Sequence, residues 1–168
     1  MNTRLAVAAA IEGHSPAGGC MLALTADERV MAKGKLSIGL NETRLGIVAP
    51  IWFIDSFRAV VGQRQSERLL QLGEMVTSAE ALNLGLVDQV VPAEEVRETA
   101  VTALERYLQV PAAARHMTKV ATREDIVARL AKNLEADLQG FVDLISQPAI
   151  QKGLGKYLES LSARAKQQ

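Results

Sequence analysis

The stretch LAVAAAIEGHSPAGGCMLALTADERVMA, residues 5–32, decides the fold class. Leu5 to Ile11 is a short apolar run that stops at Glu12-Gly13-His14-Ser15-Pro16, a turn-rich boundary, and the pairing predicts a buried strand and the turn leaving it. Ala17 to Leu24 then opens on small residues, which let another group approach the free N–H donors of a helix start. Arg29 to Ala32 reads as a second strand, so strand, helix and strand follow within one short segment, the order of an α/β layer. The run from Met1 to Ile11 holds one arginine and is too short for a targeting signal, and no targeting segment is visible in the chain.

Outward from this segment, Lys35 to Ile38 reads as a third strand and Gly39-Leu40-Asn41-Glu42 as a loop. Leu45 to Phe57 is apolar but contains Pro50, which a helix interior does not tolerate. Gln63 to Leu72 is a helix with Gly73 as its C-terminal cap. Ser78 is the expected N-cap of a further helix that stops at Gly85, and Leu86 to Val91 is a strand ended by Pro92. From Ala93 the pattern is helical throughout. Thr122 with Asp125 predicts a helix start, followed by Ile126, Leu130, Leu134, Leu138, Phe141 and Ile145 at helical spacing, as core or subunit contacts. The division expected is residues 1–92 as an α/β core and 93–168 as a C-terminal helical region.

The chain has 168 residues, 48% of them apolar and 23% charged, which is enough for one domain to bury about 70% of its unfolded surface. Nineteen basic and 19 acidic residues cancel, so the electrostatic footprint of a nucleic-acid binder is missing. No apolar run is long enough to span a bilayer, and the reading is of a soluble chain. One cysteine, Cys20, and two distant histidines provide neither a disulfide nor a metal set, and fit a reducing, intracellular compartment. His14 and His116 read as surface residues and Cys20 as a small buried hydrophobe.

Four pieces remain: Ser15-Pro16-Ala17-Gly18-Gly19-Cys20, Gly39-Leu40-Asn41-Glu42-Thr43-Arg44-Leu45-Gly46, Gly73 with Thr77-Ser78-Ala79-Glu80-Ala81, and Gly85-Leu86-Val87-Asp88-Gln89-Val90-Val91-Pro92. In this order and spacing the chain resembles the enoyl-CoA hydratase/isomerase (crotonase) superfamily, and within it the mitochondrial delta(3)-delta(2)-enoyl-CoA isomerase branch. The resemblance implies a crotonase-like spiral α/β core, truncated at its N-terminus, with a C-terminal helical region that serves association and closes the acyl-CoA site. It implies Glu42 as the catalytic base, Gly18 as an oxyanion-hole donor, and Leu40, Asn41, Gly19 and Met21 as substrate-binding positions. The alternative reading of Gly18 is a glycine needed only for tight helix packing, and a glutamate after Gly-Leu-Asn, considered alone, is more often solvated. Spacing to Gly18 and the following Leu45-Gly46-Ile47 favour the base.

The hydratases of this superfamily carry a second glutamate three residues after the oxyanion glycine. Met21 occupies that position, and a thioether can neither orient nor deprotonate water, so the pattern favours isomerisation of a 3-enoyl-CoA to the 2-trans form over hydration. The resemblance implies an acyl-CoA substrate, no cofactor beyond the coenzyme A that the substrate carries, no metal, a trimeric homo-oligomer, and residence in the mitochondrial matrix or the peroxisome. Lys152, Lys156, Arg164 and Lys166 could meet coenzyme A phosphates or form a solvated helix face. Because the family's chains are longer before the first strand, the other oxyanion donor is expected outside these residues. The alternative expectation is a non-catalytic family member that associates with full-length subunits.

Overall fold

A computed structural model describes residues 3–165, with the side chains of 164 and 165 excepted. Two three-stranded sheets stand beside a helical layer. In the first, β1 (Ala8–Ile11), β3 (Glu28–Ala32) and β6 (Gln89–Val91) are parallel, with Ala8 opposite Glu28 and Val30 opposite Gln89. Parallel neighbours need a crossover, and α1 (Gly18–Leu24) supplies the one between β1 and β3. In the second sheet, β2 (Ser15–Pro16) pairs parallel with β4 (Ser37–Gly39), and β4 pairs antiparallel with β5 (Val76–Thr77).

All five residues of β3 are buried, although two of them are charged. The fold partners both charged groups, although the Arg29 Nε is buried without a hydrogen-bond partner among the described residues. The Arg29 guanidinium meets the Asp88 carboxylate at 3.0 Å, and Glu28 accepts from the Tyr107 hydroxyl at 3.1 Å and the Gln89 amide at 3.3 Å. Met31, Cys20, Met21, Phe57 and Leu69 form the main apolar cluster. A smaller one joins Val30 and Ala32 to Val96 and Ala100 of α5 (Val96–Leu108).

After β4 a 3₁₀ turn covers Glu42–Leu45, followed by α2 (Ile51–Val61) and α3 (Gln63–Leu72). Pro50 directly precedes α2, where its missing N–H costs nothing, and the apolar stretch from Leu45 therefore splits into turn and helix. Helix α4 (Ser78–Asn83) is capped by Thr77, not Ser78: the Thr77 hydroxyl accepts from the Glu80 N–H, and the Glu80 carboxylate accepts from the Thr77 N–H at 2.8 Å. The Ser78 hydroxyl instead reaches the Gly34 carbonyl.

The last two helices are α6 (Ala112–Ile145) and α7 (Pro148–Ala165). Thr122 is no cap. It lies inside α6, where its hydroxyl bonds back to the Thr118 carbonyl at 3.0 Å, an outlet open to threonine within a helix. Two of the expected strands begin later than the apolar runs that announced them, β1 at Ala8 and β6 at Gln89, whereas β3 begins one residue earlier than expected, at Glu28. Leu5 is 70% exposed, outside β1, and Leu86 and Val87 are buried in the turn before β6. Helix α6 is held to the body at two places. Asp27 receives Lys119 at 2.6 Å, Arg123 at 2.9 Å and the Val7 N–H at 2.9 Å. Near the middle of α6, Arg129 pairs with the buried Asp55 of α2 at 2.8 Å, and Asp137 accepts from the Ile51 N–H at 3.0 Å.

Candidate active site

Glu42 is 5% exposed, a burial unusual for a carboxylate. It begins the 3₁₀ turn and faces a cavity of about 450 Å³ whose wall includes Leu40, Val48, Ala49, Ile54 and Leu70. Burial pushes its carboxyl above the usual range, because removal from water penalises the charged form. Its Oε2 atom and the Oδ1 atom of Asn41 are both buried without a protein hydrogen-bond partner among the described residues. Two adjacent acceptors of this kind are expensive unless a ligand or water completes them.

The turn is braced from α3. Thr43 donates its hydroxyl to the Leu70 carbonyl at 2.7 Å, which also accepts from the Gly73 N–H at 3.2 Å, and Arg44 donates to the Leu72 carbonyl at 3.1 Å, so the side chains beside Glu42 tie the turn to the carbonyls at the end of α3. Gly73, at φ 55°, ends α3, and a Cβ there would meet the Arg44 Cγ at 2.8 Å and the Arg44 backbone nitrogen at 2.9 Å. Gly73→Ala is expected to destabilise the protein by about 2–4 kcal/mol, from left-handed strain and overpacking together, as read by urea unfolding. A midpoint unchanged from the parent would remove this bracing role.

Helix α1 meets the same site from the other side. The Ala17 N–H donates to the Gly39 carbonyl at 2.8 Å, and the Ala17 carbonyl accepts from the Met21 N–H at 3.0 Å. With that carbonyl turned into the helix, the trans peptide directs the Gly18 N–H outward. Ala17 is held at φ 47° and ψ −115°, a conformation that L residues rarely adopt and that costs on the order of 1–3 kcal/mol. Gly18 is exposed, and a Cβ on it would meet nothing within 4 Å. Tight packing therefore does not explain that glycine. It does apply at Gly19, where a Cβ would stand 3.0 Å from the Ser15 Oγ.

Cys20 is fully buried, and its thiol is pushed up to about 12, chiefly by burial and then by the nearby Glu42 carboxylate. The chain thus brings α1 and the Glu42 turn together across Gly39. Met21 is 2% exposed and belongs to the apolar cluster. His14 is exposed and bonded to Ser37 at 3.0 Å, whereas His116 is half-buried, so the expectation of two surface histidines is met only by the first. Lys152 and Lys156 are exposed on α7; nothing is described of the Arg164 side chain, and Lys166 lies outside the described residues. No group of three or more His, Cys, Asp or Glu side chains that could hold a metal is found among the described residues. Among those residues no helix is long and apolar enough to cross a membrane. The Asp27, Asp55 and Asp137 anchors escaped the sequence reading because their partners lie tens of residues away; the one local signal was Pro50, marking where Ile51 would need an acceptor.

The family model for enoyl-CoA hydratase/isomerase matches residues 1–168. The chain belongs to that family. It is 47% identical over 160 residues to the human protein named "Enoyl-CoA delta isomerase 1, mitochondrial", covering 95% of this chain and 53% of that one. A probable enoyl-CoA hydratase of Rhizobium meliloti is 27% identical over 98% of this chain and 64% of its own length. The crystal structure of human mitochondrial delta3-delta2-enoyl-CoA isomerase superimposes with a TM-score of 0.93 at 46% identity, over 97% of this chain and 64% of that one. The fold is therefore the crotonase fold, and the chain spans about half the length of the human relative.

Proposed function

We propose that the chain carries the base-bearing part of an enoyl-CoA delta isomerase, which shifts the double bond of a 3-enoyl-CoA to the 2-trans position in fatty-acid β-oxidation. The observation that carries this is Glu42, a buried carboxylate with an unpartnered oxygen on an apolar cavity. Its carboxylate takes a proton from C2 of the acyl thioester, the electron pair delocalises through C1 onto the thioester oxygen and over C3 and C4, and the same proton returns at C4. A raised pKa suits both halves of the cycle, because the group must accept and then release the proton near neutral pH.

The outward N–H of Gly18 is the donor proposed for the enolate oxygen. In well-studied oxyanion holes one such donor contributes about 2.7–4 kcal/mol. Asn41, Leu40 and Gly19 line the substrate's path in this reading, and Met21 leaves no second carboxylate to activate water. Residues 93–168 are assigned to association, as a trimer, and to closure of the site; the human relative's name supports the mitochondrion as the location, and the matrix is the compartment proposed within it.

The test gives the purified chain two substrates. A 3-enoyl-CoA is expected to gain the absorbance of the conjugated thioester, and a 2-enoyl-CoA is expected to lose it, by hydration, at least a hundredfold more slowly. Hydration as fast as isomerisation would overturn the assignment. Absence of both, with the chain recovered in complex with a longer family member, would favour the associating, non-catalytic reading.

A further inference from the structure

Between α5 and the start of α6 lies a cavity of about 770 Å³, within the ~300–1,000 Å³ range of small-molecule sites. It shares no lining residue with the Glu42 cavity. Asp27, on its wall, directly precedes β3, whereas Gly18 follows β1, so the two places lie at opposite ends of parallel strands. Four cationic side chains, Arg106, Arg115, Lys119 and Arg123, line the space against one carboxylate, Asp27. In a chain whose charges cancel, that surplus is local. The Asp27 carboxylate is already engaged by Lys119 and Arg123, which leaves no acidic group on the wall for Arg106 and Arg115.

Packed helices ordinarily close on apolar side chains, yet the stripe of α6 on this space is Arg115, Thr118, Lys119 and Thr122, spaced three and four residues apart. Helix formation does not ask for it. Arg115 closes the first turn of a 34-residue helix, where the positive end of the dipole disfavours a cation, and neither an acidic residue nor a side-chain cap offsets it. Its guanidinium is half-buried: Nε has no hydrogen-bond partner among the described residues, and Nη2 meets the Arg4 carbonyl at a long 3.5 Å. A desolvated cation in this state is costly unless an anion completes it. Arg106 is exposed, has no ion-pair partner among the described residues, and separates the space from a cleft along α5 whose wall carries Glu95, Glu98 and Glu105.

We propose that the space between α5 and α6 binds a phosphate-bearing small molecule, held through its phosphate by Arg115 and Arg106. The site stands apart from Glu42 and does not depend on the isomerase reading. A guanidinium is a planar fork of donors that matches phosphoryl oxygens, and one from each helix sets the anion between α5 and α6. The Gln109 amide and the Thr118 hydroxyl add neutral donors on the same wall, and Val110 and Ala114 give an apolar face to the group that carries the phosphate.

The experiment titrates the purified chain with pyrophosphate and with AMP by calorimetry at constant ionic strength. Saturable binding at one site is expected. Arg115→Gln is expected to weaken it roughly tenfold or more, the scale of a charge-assisted hydrogen bond, and the more exposed Arg106→Gln roughly threefold or more. Glu42→Gln and Arg64→Gln, the latter removing an exposed cation of α3, are expected to leave Kd within twofold of the parent. Tighter binding of AMP assigns the ligand to the nucleotides, and equal or tighter binding of pyrophosphate assigns it to free phosphates; both uphold the site. Saturation by neither probe at millimolar concentration overturns it, as does equal weakening by Arg64→Gln, which would show diffuse attraction to surface charge. Should Arg115→Gln fail to fold, Arg106→Gln, which breaks no described hydrogen bond or ion pair, decides alone: an unchanged Kd overturns the site. Binding is read without turnover, so this result and that of the isomerase test stand separately.

Discussion

Glu42→Gln is expected to lower isomerisation by roughly 10²–10⁴-fold, the range that a positioned general base contributes. Glutamine keeps the shape and loses the proton acceptor. The pH dependence has a defined sign. Only the carboxylate can take the C2 proton, so kcat falls as pH drops through the Glu42 pKa, which burial holds above the usual carboxylate range. Stability moves the other way. Because the folded pKa is raised, burying the charged form opposes folding; this penalty is absent below the unfolded pKa, grows as pH rises towards the folded value, and is full above it. The variant lacks the penalty, so at neutral pH it should be at least as stable as the parent, with the difference closing in acid. Measured together, a collapse in turnover and an undiminished unfolding midpoint separate chemistry from folding; turnover within twofold of the parent would remove Glu42 from the mechanism.

Asp27→Ala is expected to cost about 3–5 kcal/mol, a large part of the 5–15 kcal/mol available to a domain. The Asp27 side chain is 10% exposed, between Lys119 at 8% and Arg123 at 20%, and it also accepts the Val7 N–H. Its removal leaves an ammonium buried with the Leu5 carbonyl as its one remaining hydrogen-bond partner among the described residues. The pair should not be read as net stabilisation, since desolvating both partners offsets their attraction; the cost is that of breaking it. Lys119→Met in the Asp27→Ala background should therefore recover part of the loss in a urea titration. Additive losses from the two substitutions would show that the buried ammonium is not the source. The exposed pair between Glu12 and Arg97 provides the contrast, being open to water and salt.

The candidate site was legible through the family resemblance, which short local motifs carry. Gly18-Gly19, Glu42 and the cap at Gly73 each lie in such a motif, and their order along the chain is what the resemblance rests on. What escaped depended on distance or on a competing hydrogen bond. Thr77 and Ser78 both suit an N-cap, and the choice went to Thr77 because Glu80 stands three residues after it and returns the bond. Thr122 with Asp125 has the same pattern, yet the helix runs through it, since Pro111 already supplies a start at Ala112 and no breaker follows. Two strands began later than their apolar runs because backbone pairing, rather than apolarity, sets where a strand starts: Leu86 and Val87 are buried in the core ahead of β6 without joining the sheet. The clamp of α6 on α2 could not be foreseen, because Asp137 and Ile51 are 86 positions apart.

Cys20 adds a property of a different kind. The chain has a single thiol, and that thiol is fully buried at the junction of α1 with Gly39 and Glu42, with its ionisation suppressed. A thiol reagent needs both access and thiolate, so the native junction is protected twice over. Alkylation of the folded protein then counts the moments when α1 lifts from the Glu42 turn, and its rate is a clock for breathing of the candidate site that requires no engineered label.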